Sequence, residues 1–230
     1  MRPSFATVIA VLLMMGSVFT HAQQGGISLN QTRVIFSAKD LSQTVAVHNT
    51  SDRSWMILSR VQAEEENSDA PFIVTPPLFP LKGNSSQQLR ILLTQASLPT
   101  DRESLFYLSV AAIPSQSGPV PQTGKLSVGV RFVLKLFYRP IGLPLAPQDS
   151  ACRLRISPQA RGLSIANPTP YFVTMGTLMI DGQAVAIPPQ GSMIAPNGNL
   201  TLAAQHPVHQ ASWQSINDYG AHSEPCHQTF

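Results

Sequence analysis

The sequence predicts an all-β protein built from two successive β-sandwiches, and three observations predict it. Apolar residues recur with period two in short runs, while no segment sustains a helical period. The 230 residues include 20 prolines, 12% charged and 43% hydrophobic positions, which suits many short strands joined by turns and excludes a coiled coil or a disordered chain. The runs fall into two sets on either side of RPIGLPLAP (Arg139 to Pro147), a stretch with three prolines, one glycine and no charge after the arginine, which reads as a stiff connector. A chain of this length can bury two cores of about 100 residues each.

Taken in order, the N-terminal stretch carries Arg2, an apolar run near Ala6 to Phe19 and a small-residue signal at Thr20-His21-Ala22. Residues 1–22 are therefore expected to be a secretory signal peptide, with the mature chain starting near Gln23. The run is too short for a stable bilayer span and no later one approaches about 20 apolar residues, so no membrane insertion is expected and the compartment lies outside the cytoplasm. Seven runs follow, ISLNQTRVIF, QTVAVHNTSD, SWMILSRVQA, FIVTPPLFPL, SQQLRILL, LFYLSVAAIP and KLSVGVRFVLKLFY, in a rhythm that suggests an antiparallel sandwich over residues 23–140. CRLRIS, GLSIANPTPYFVTMGTLMIDGQ, SMIAPNGNLTLAA and ASWQSINDYGAHSEPC make a second over 141–230.

Composition and motifs also narrow the chemistry. The formal charge of +3 is mild and its Lys and Arg residues are scattered, which gives nucleic-acid binding little support. GxSxG, HExxH, CxxC and Gly-rich phosphate loops are all missing from the sequence, so neither an enzyme nor a cofactor is expected. His206, His209, His222 and His227 have no acidic or thiolate partner at a ligand spacing, so no metal site is expected either. Glu64, Glu65 and Glu66 read as a solvated turn. In an exported chain Cys152 and Cys226 fit a disulfide better than a metal pair or catalytic thiols, and the bond would close the second set of strands on itself.

One run poses a question. In KLSVGVRFVLKLFYRP, residues Leu126, Val128, Val130 and Phe132 share one side of an extended strand, and the apolar patch that follows is interrupted by Lys135, a charge in need of a partner. An exposed apolar edge strand is an aggregation hazard unless a partner or a self-capped dimer covers it.

With LPTDRESLFYLSV, TPPLFPL and VLKLFYRP in this order, and IANPTPYFVTMGTL and SINDYGA beyond them, the chain resembles the periplasmic pilus-assembly chaperones of the PapD-like family. The resemblance is strongest from Ile27 to Pro140. It implies two immunoglobulin-like domains arranged as a boomerang with a cleft between them. Its partners would be pilin subunits lacking a strand and an outer-membrane usher that receives them, in the periplasm and without nucleotide. The strand lent to the pilin corresponds to KLSVGVRF, with Leu126, Val128, Val130 and Phe132 inserting into the subunit's groove. Arg33 and Lys135 would anchor the pilin's C-terminal carboxylate, and Glu103, Arg139 and Asp218 would form an interdomain salt-bridge network. The short loop PSQSGPVPQTG, with no cysteine pair beside the lent strand, resembles the short-loop subgroup.

Strict alternation puts Lys135 on the face opposite Val130, so reconciling anchor with lent strand calls for a bulge or strong twist between Phe132 and Lys135, or for a subunit that meets edge and cleft at different angles. A secreted structural or adhesive immunoglobulin-like module is the alternative reading, and it predicts polymerisation or glycan binding without any pilin.

Overall fold

A computed structural model of the chain describes residues 25–64, 69–94, 97–115, 128–159, 162–188, 191–203 and 208–230. Residues 1–22, expected as a signal peptide, and Glu65, Glu66, Leu126 and His206 lie outside the described residues.

Among the described residues the first sandwich contains nine strands: β1 (Ile27–Leu29), β2 (Arg33–Ser37), β3 (Gln43–Asn49), β4 (Trp55–Ala63), β5 (Phe72–Thr75), β6 (Leu78–Leu81), β7 (Ser85–Leu93), β8 (Ser104–Pro114) and β9 (Val130–Arg139). They form one sheet in the order β1-β3-β7-β5 and a second in the order β2-β9-β8-β4-β6. Seven runs become nine strands because two of them change sheets midway. ISLNQTRVIF breaks at Asn30, whose Oδ1 accepts the Ala46 N–H at 2.8 Å, and FIVTPPLFPL breaks at Pro76-Pro77, where neither residue can donate to a ladder. β2 then pairs with β9 in parallel, whereas its neighbours are antiparallel.

Alternation sends Val34, Phe36, Val45, Val47, Ile57, Leu89, Ile91, Leu108 and Leu136 into a core between the two sheets. Each such side chain, fully buried, contributes roughly 1.5–3 kcal/mol. Phe72 stacks edge-on to Phe36 and Phe106, with centroids 5.3 and 5.1 Å apart.

The second sandwich has the sheet β10-β11-β15, formed by β10 (Arg155–Gln159), β11 (Gly162–Ala166) and β15 (Asn199–Leu202). Opposite it lies β13-β12-β16-β17, formed by β12 (Val173–Ile180), β13 (Gln183–Ala184), β16 (Gln210–Ile216) and β17 (Cys226–Thr229), with the short β14 (Met193–Ile194) also against β12. Its separate core includes Ile156, Leu163, Ile165, Leu178 and Trp213. Cys152 and Cys226 are joined as a disulfide across 74 residues. Each sandwich also has a buried asparagine that ties loops together. Asn49 Nδ2 donates to the Arg53 and Lys82 carbonyls, and Asn167 Nδ2 to those of Tyr171, Ile194 and Ala195.

Candidate functional site at the edge of β9 and the domain junction

The register of β9 decides what each of its faces can do. It pairs with β8 without a break from Ala112↔Val130 to Ser104↔Tyr138, so alternation persists and the bulge expected between Phe132 and Lys135 is absent. Leu134 and Leu136 consequently enter the core, and Phe132, half-buried, packs on that core too. Phe132, expected among the side chains offered to a partner, is thus engaged in its own sandwich as well, with part of its surface left exposed. Val128 and Val130 are 64% and 44% exposed. Val133, Lys135, Phe137 and Arg139 point to the other face.

On its second side β9 is paired only in part. β2 begins at Arg33, opposite Lys135, and accompanies β9 to Arg139, so among the described residues Val130 to Leu134 pair with β8 alone. Their outer backbone groups form an open edge that stops where β2 starts. The open edge and the cation pair therefore lie in line along one side of β9, with no change of parity between them.

The parallel register sets Arg33 and Lys135 side by side on the same face. Neither forms an ion pair with an acid among the described residues. Arg33 Nη1 donates to the Ile216 carbonyl at 3.1 Å, its Nε is buried without a partner, and its guanidinium carbon lies 6.0 Å from the Phe137 ring centroid. Burial, and then the Arg33 charge, lower the pKa of Lys135. Burial lowers that of Arg33, opposed by Asp218 and Glu103. The junction thus holds two half-buried cations side by side, neither in contact with an acid, and burial disfavours the charge on each.

Next to them Arg139 joins the sandwiches. Its Nε donates to Glu103 Oε1 at 2.7 Å, and Nη1 and Nη2 donate to the two carboxylate oxygens of Asp218 at 2.6 and 2.8 Å. Glu103 Oε2 accepts the Phe172 N–H at 2.9 Å, and Arg139 lies 5.2 Å from the Tyr171 ring centroid. Burial works against the arginine's charge, yet Asp218 and Glu103 outweigh it and raise its pKa. Burial raises the pKa of Glu103, with Arg139 and the Phe172 N–H opposing. Arg33, Arg139, Tyr171, Ile216 and Asp218 line a cavity of about 240 Å³ at this junction.

Sequence reasoning missed the Ile216 carbonyl and the Phe172 N–H, backbone groups that leave no mark in side-chain patterns. It also missed Phe137 beneath Arg33, which counts in the sequence only as another member of an apolar run. Among the described residues no group of three or more His, Cys, Asp and Glu side chains could hold a metal ion.

Fold and junction together define a two-domain immunoglobulin-like binding protein with an open strand edge leading to a cation pair. Residues 26–144 match the family described as the pili and flagellar-assembly chaperone, PapD N-terminal domain, and residues 149–227 match the pili assembly chaperone PapD, C-terminal domain. The chain belongs to this family and is a pilus-assembly chaperone. It is 34% identical to the chaperone protein FimC of Escherichia coli K12 over 221 residues, 95% of this chain and 90% of the relative. It is 35% identical to the probable fimbrial chaperone protein ElfD of the same strain over 218 residues, 94% of this chain and 91% of that one. The structure of the Salmonella enterica SafA pilin in complex with the SafB chaperone matches with a TM-score of 0.80 at 31% identity, covering 90% of this chain and 97% of the other. The E. coli chaperone DraB matches with a TM-score of 0.78 at 32% identity, covering 90% and 99%.

Proposed function

We propose that this chain, exported to the periplasm by its first 22 residues, captures pilin subunits by adding β9 and the residues before it to the subunit's open sheet, and passes them to an outer-membrane usher. The observation that carries this is the open edge from Val130 to Leu134 ending at Arg33 and Lys135. A subunit strand parallel to β9 and in line with β2 would terminate at Lys135, so its α-carboxylate would meet both cations. Run antiparallel, it would bring a strand start there, and a free terminus would be an ammonium facing two positive charges. Backbone hydrogen bonds along the edge supply affinity, while Leu126, Val128 and Val130 supply apolar contacts. Charge-assisted bonds to the carboxylate, worth roughly 1.5–3 kcal/mol each, fix the register. Glu103, Arg139 and Asp218 hold the domains (23–140 and 141–230) at their working angle, beside anchors that the β2–β9 pairing has already set together. The free protein is proposed to cover its edge in a self-capped dimer.

The test is co-expression in a bacterial periplasm with the pilin encoded nearby, using the intact chain, Arg33→Ala and Lys135→Ala. A one-to-one soluble complex with the intact chain, lost in both folded variants, is the expected result. Undiminished capture by either variant overturns the anchoring role.

A further inference from the structure

Arg33 belongs to the first sandwich, but the group that holds its guanidinium belongs to the second. Its Nη1 donates to the Ile216 carbonyl, and Nε stays unpartnered. A long side chain fixed at one point takes its direction from that point. Ile216 ends β16 and leads into a tight turn with little freedom of its own. Asn217 Oδ1 accepts the N–H groups of Tyr219 and Ala221, both at 3.0 Å, while the Asn217 N–H donates to the Ala221 carbonyl at 2.8 Å and that of Gly220 to the Asn217 carbonyl at 3.0 Å.

The turn meets the first sandwich at three neighbouring places. Asp218 receives Arg139, Ile216 receives Arg33, and Gly220 lies so close to Thr32 that a Cβ there would run into the Thr32 hydroxyl. Gly220 also has φ +85°, a conformation that L side chains rarely adopt, so two separate constraints favour glycine at this position. Tyr219, by contrast, is 93% exposed, so the turn is held by its backbone and by Asn217 and Asp218 rather than by apolar packing.

We propose that the Asn217–Gly220 turn is a positioning element for the carboxylate anchor: it aims the Arg33 guanidinium through the Ile216 carbonyl, so that preference for a chain terminus is a property of the two joined domains. The inference rests on the reading of Arg33 and Lys135 as anchors for a carboxylate. None of the turn's side chains is assigned a contact with the captured strand.

The experiment measures binding of the full chain to one alternating Val/Thr peptide of about twelve residues, made with a free α-carboxylate and as a C-terminal amide. The intact chain is expected to favour the acid by about tenfold, the scale of one charge-assisted bond. In Gly220→Ala, and separately in Asn217→Ala, which removes the acceptor inside the turn, the acid-to-amide ratio is expected to fall below about threefold. Adding Thr32→Ala to Gly220→Ala removes the hydroxyl the new methyl would meet and is expected to recover part of the ratio, the strain of φ +85° remaining. A general loss of fold would weaken both peptides alike and leave their ratio in place. A ratio unchanged in both turn variants, with the amide bound as tightly as by the intact chain, overturns the positioning role while the anchor stands. An intact chain that treats the peptides alike, or binds neither, overturns the anchor reading and this inference with it.

Discussion

Lys135 costs the free protein something. Its ammonium is half-buried beside Arg33 with no acid near, and its pKa is lowered by burial first and by Arg33 second. A folded pKa below the unfolded value means that the folded state holds this proton less tightly, so stability rises with pH as the range from the lowered value up to 10.5 is crossed. Removing the charge while keeping the stem should therefore raise the melting midpoint: Lys135→Met is expected to gain about 2 °C at neutral pH while losing pilin capture. Calorimetric unfolding beside a capture assay checks this, and a lowered midpoint would show that Lys135 stabilises the free fold. An arriving carboxylate raises the pKa again, so binding should take up protons and weaken as pH climbs through the alkaline range below 10.5. Titrations in two buffers of different ionisation enthalpy would expose that uptake. Lys135 was legible as a charge interrupting an apolar run, but Arg33 only through resemblance, because the pairing that sets them side by side is a parallel one between segments about a hundred residues apart.

At the scale of the strand, β9 does two jobs with one alternation. From Phe132 on, its even-numbered residues fill the core, whereas Val130, the same in parity, stands 44% exposed where the sandwich runs out beneath it. The period-two pattern of KLSVGVRF was readable, but the point at which one face stops meeting its own core was not. That point depends on how far the opposing sheet extends. The same limit explains why β1 and β2, or β5 and β6, read as single runs: alternation survives a change of sheet when the break is one asparagine or two prolines. The two classes of residue along β9 should separate experimentally. Val130→Asp is expected to abolish capture while leaving stability within about 0.5 kcal/mol, as for an exposed position. Phe132→Ala should cost about 2 kcal/mol of stability through lost packing. Denaturant titration beside the co-expression assay distinguishes them, and a destabilised Val130→Asp would mean that this residue is also engaged within its sandwich.

In the whole molecule the two sandwiches have separate cores, so their relative placement depends on the junction, where a few polar contacts stand beside one apolar one, the Phe137 and Phe172 rings with centroids 5.7 Å apart. The sequence pointed to Glu103, Arg139 and Asp218 only through resemblance, since nothing in three scattered charges says that they meet. Their arrangement is uneven: Glu103 is only 4% exposed, whereas Asp218 keeps about a third of its side chain in water. Arg139 therefore matters most as the counter-ion of Glu103. Arg139→Met would leave that carboxylate buried with the Phe172 N–H as its remaining partner, at a cost of about 3–5 kcal/mol at neutral pH. Burial already raises the Glu103 pKa above 4.5 in the intact chain, and losing the arginine removes the main opposing effect, so the variant's folded pKa moves higher still. An acid whose folded pKa exceeds its unfolded value destabilises the ionised protein, and the penalty fades as pH falls and both states bind the proton. The defect of Arg139→Met relative to the intact chain should accordingly shrink as pH is lowered from 7 towards 5. Arg139→Met combined with Glu103→Gln should be more stable than Arg139→Met alone at pH 7, because the neutral amide removes the stranded charge. Denaturant unfolding of the four proteins across that range would decide it. Simple additivity of the two substitutions would mean that the cost of losing Arg139 lies in its bidentate hold on Asp218, and that the junction is held from the second sandwich rather than from Glu103.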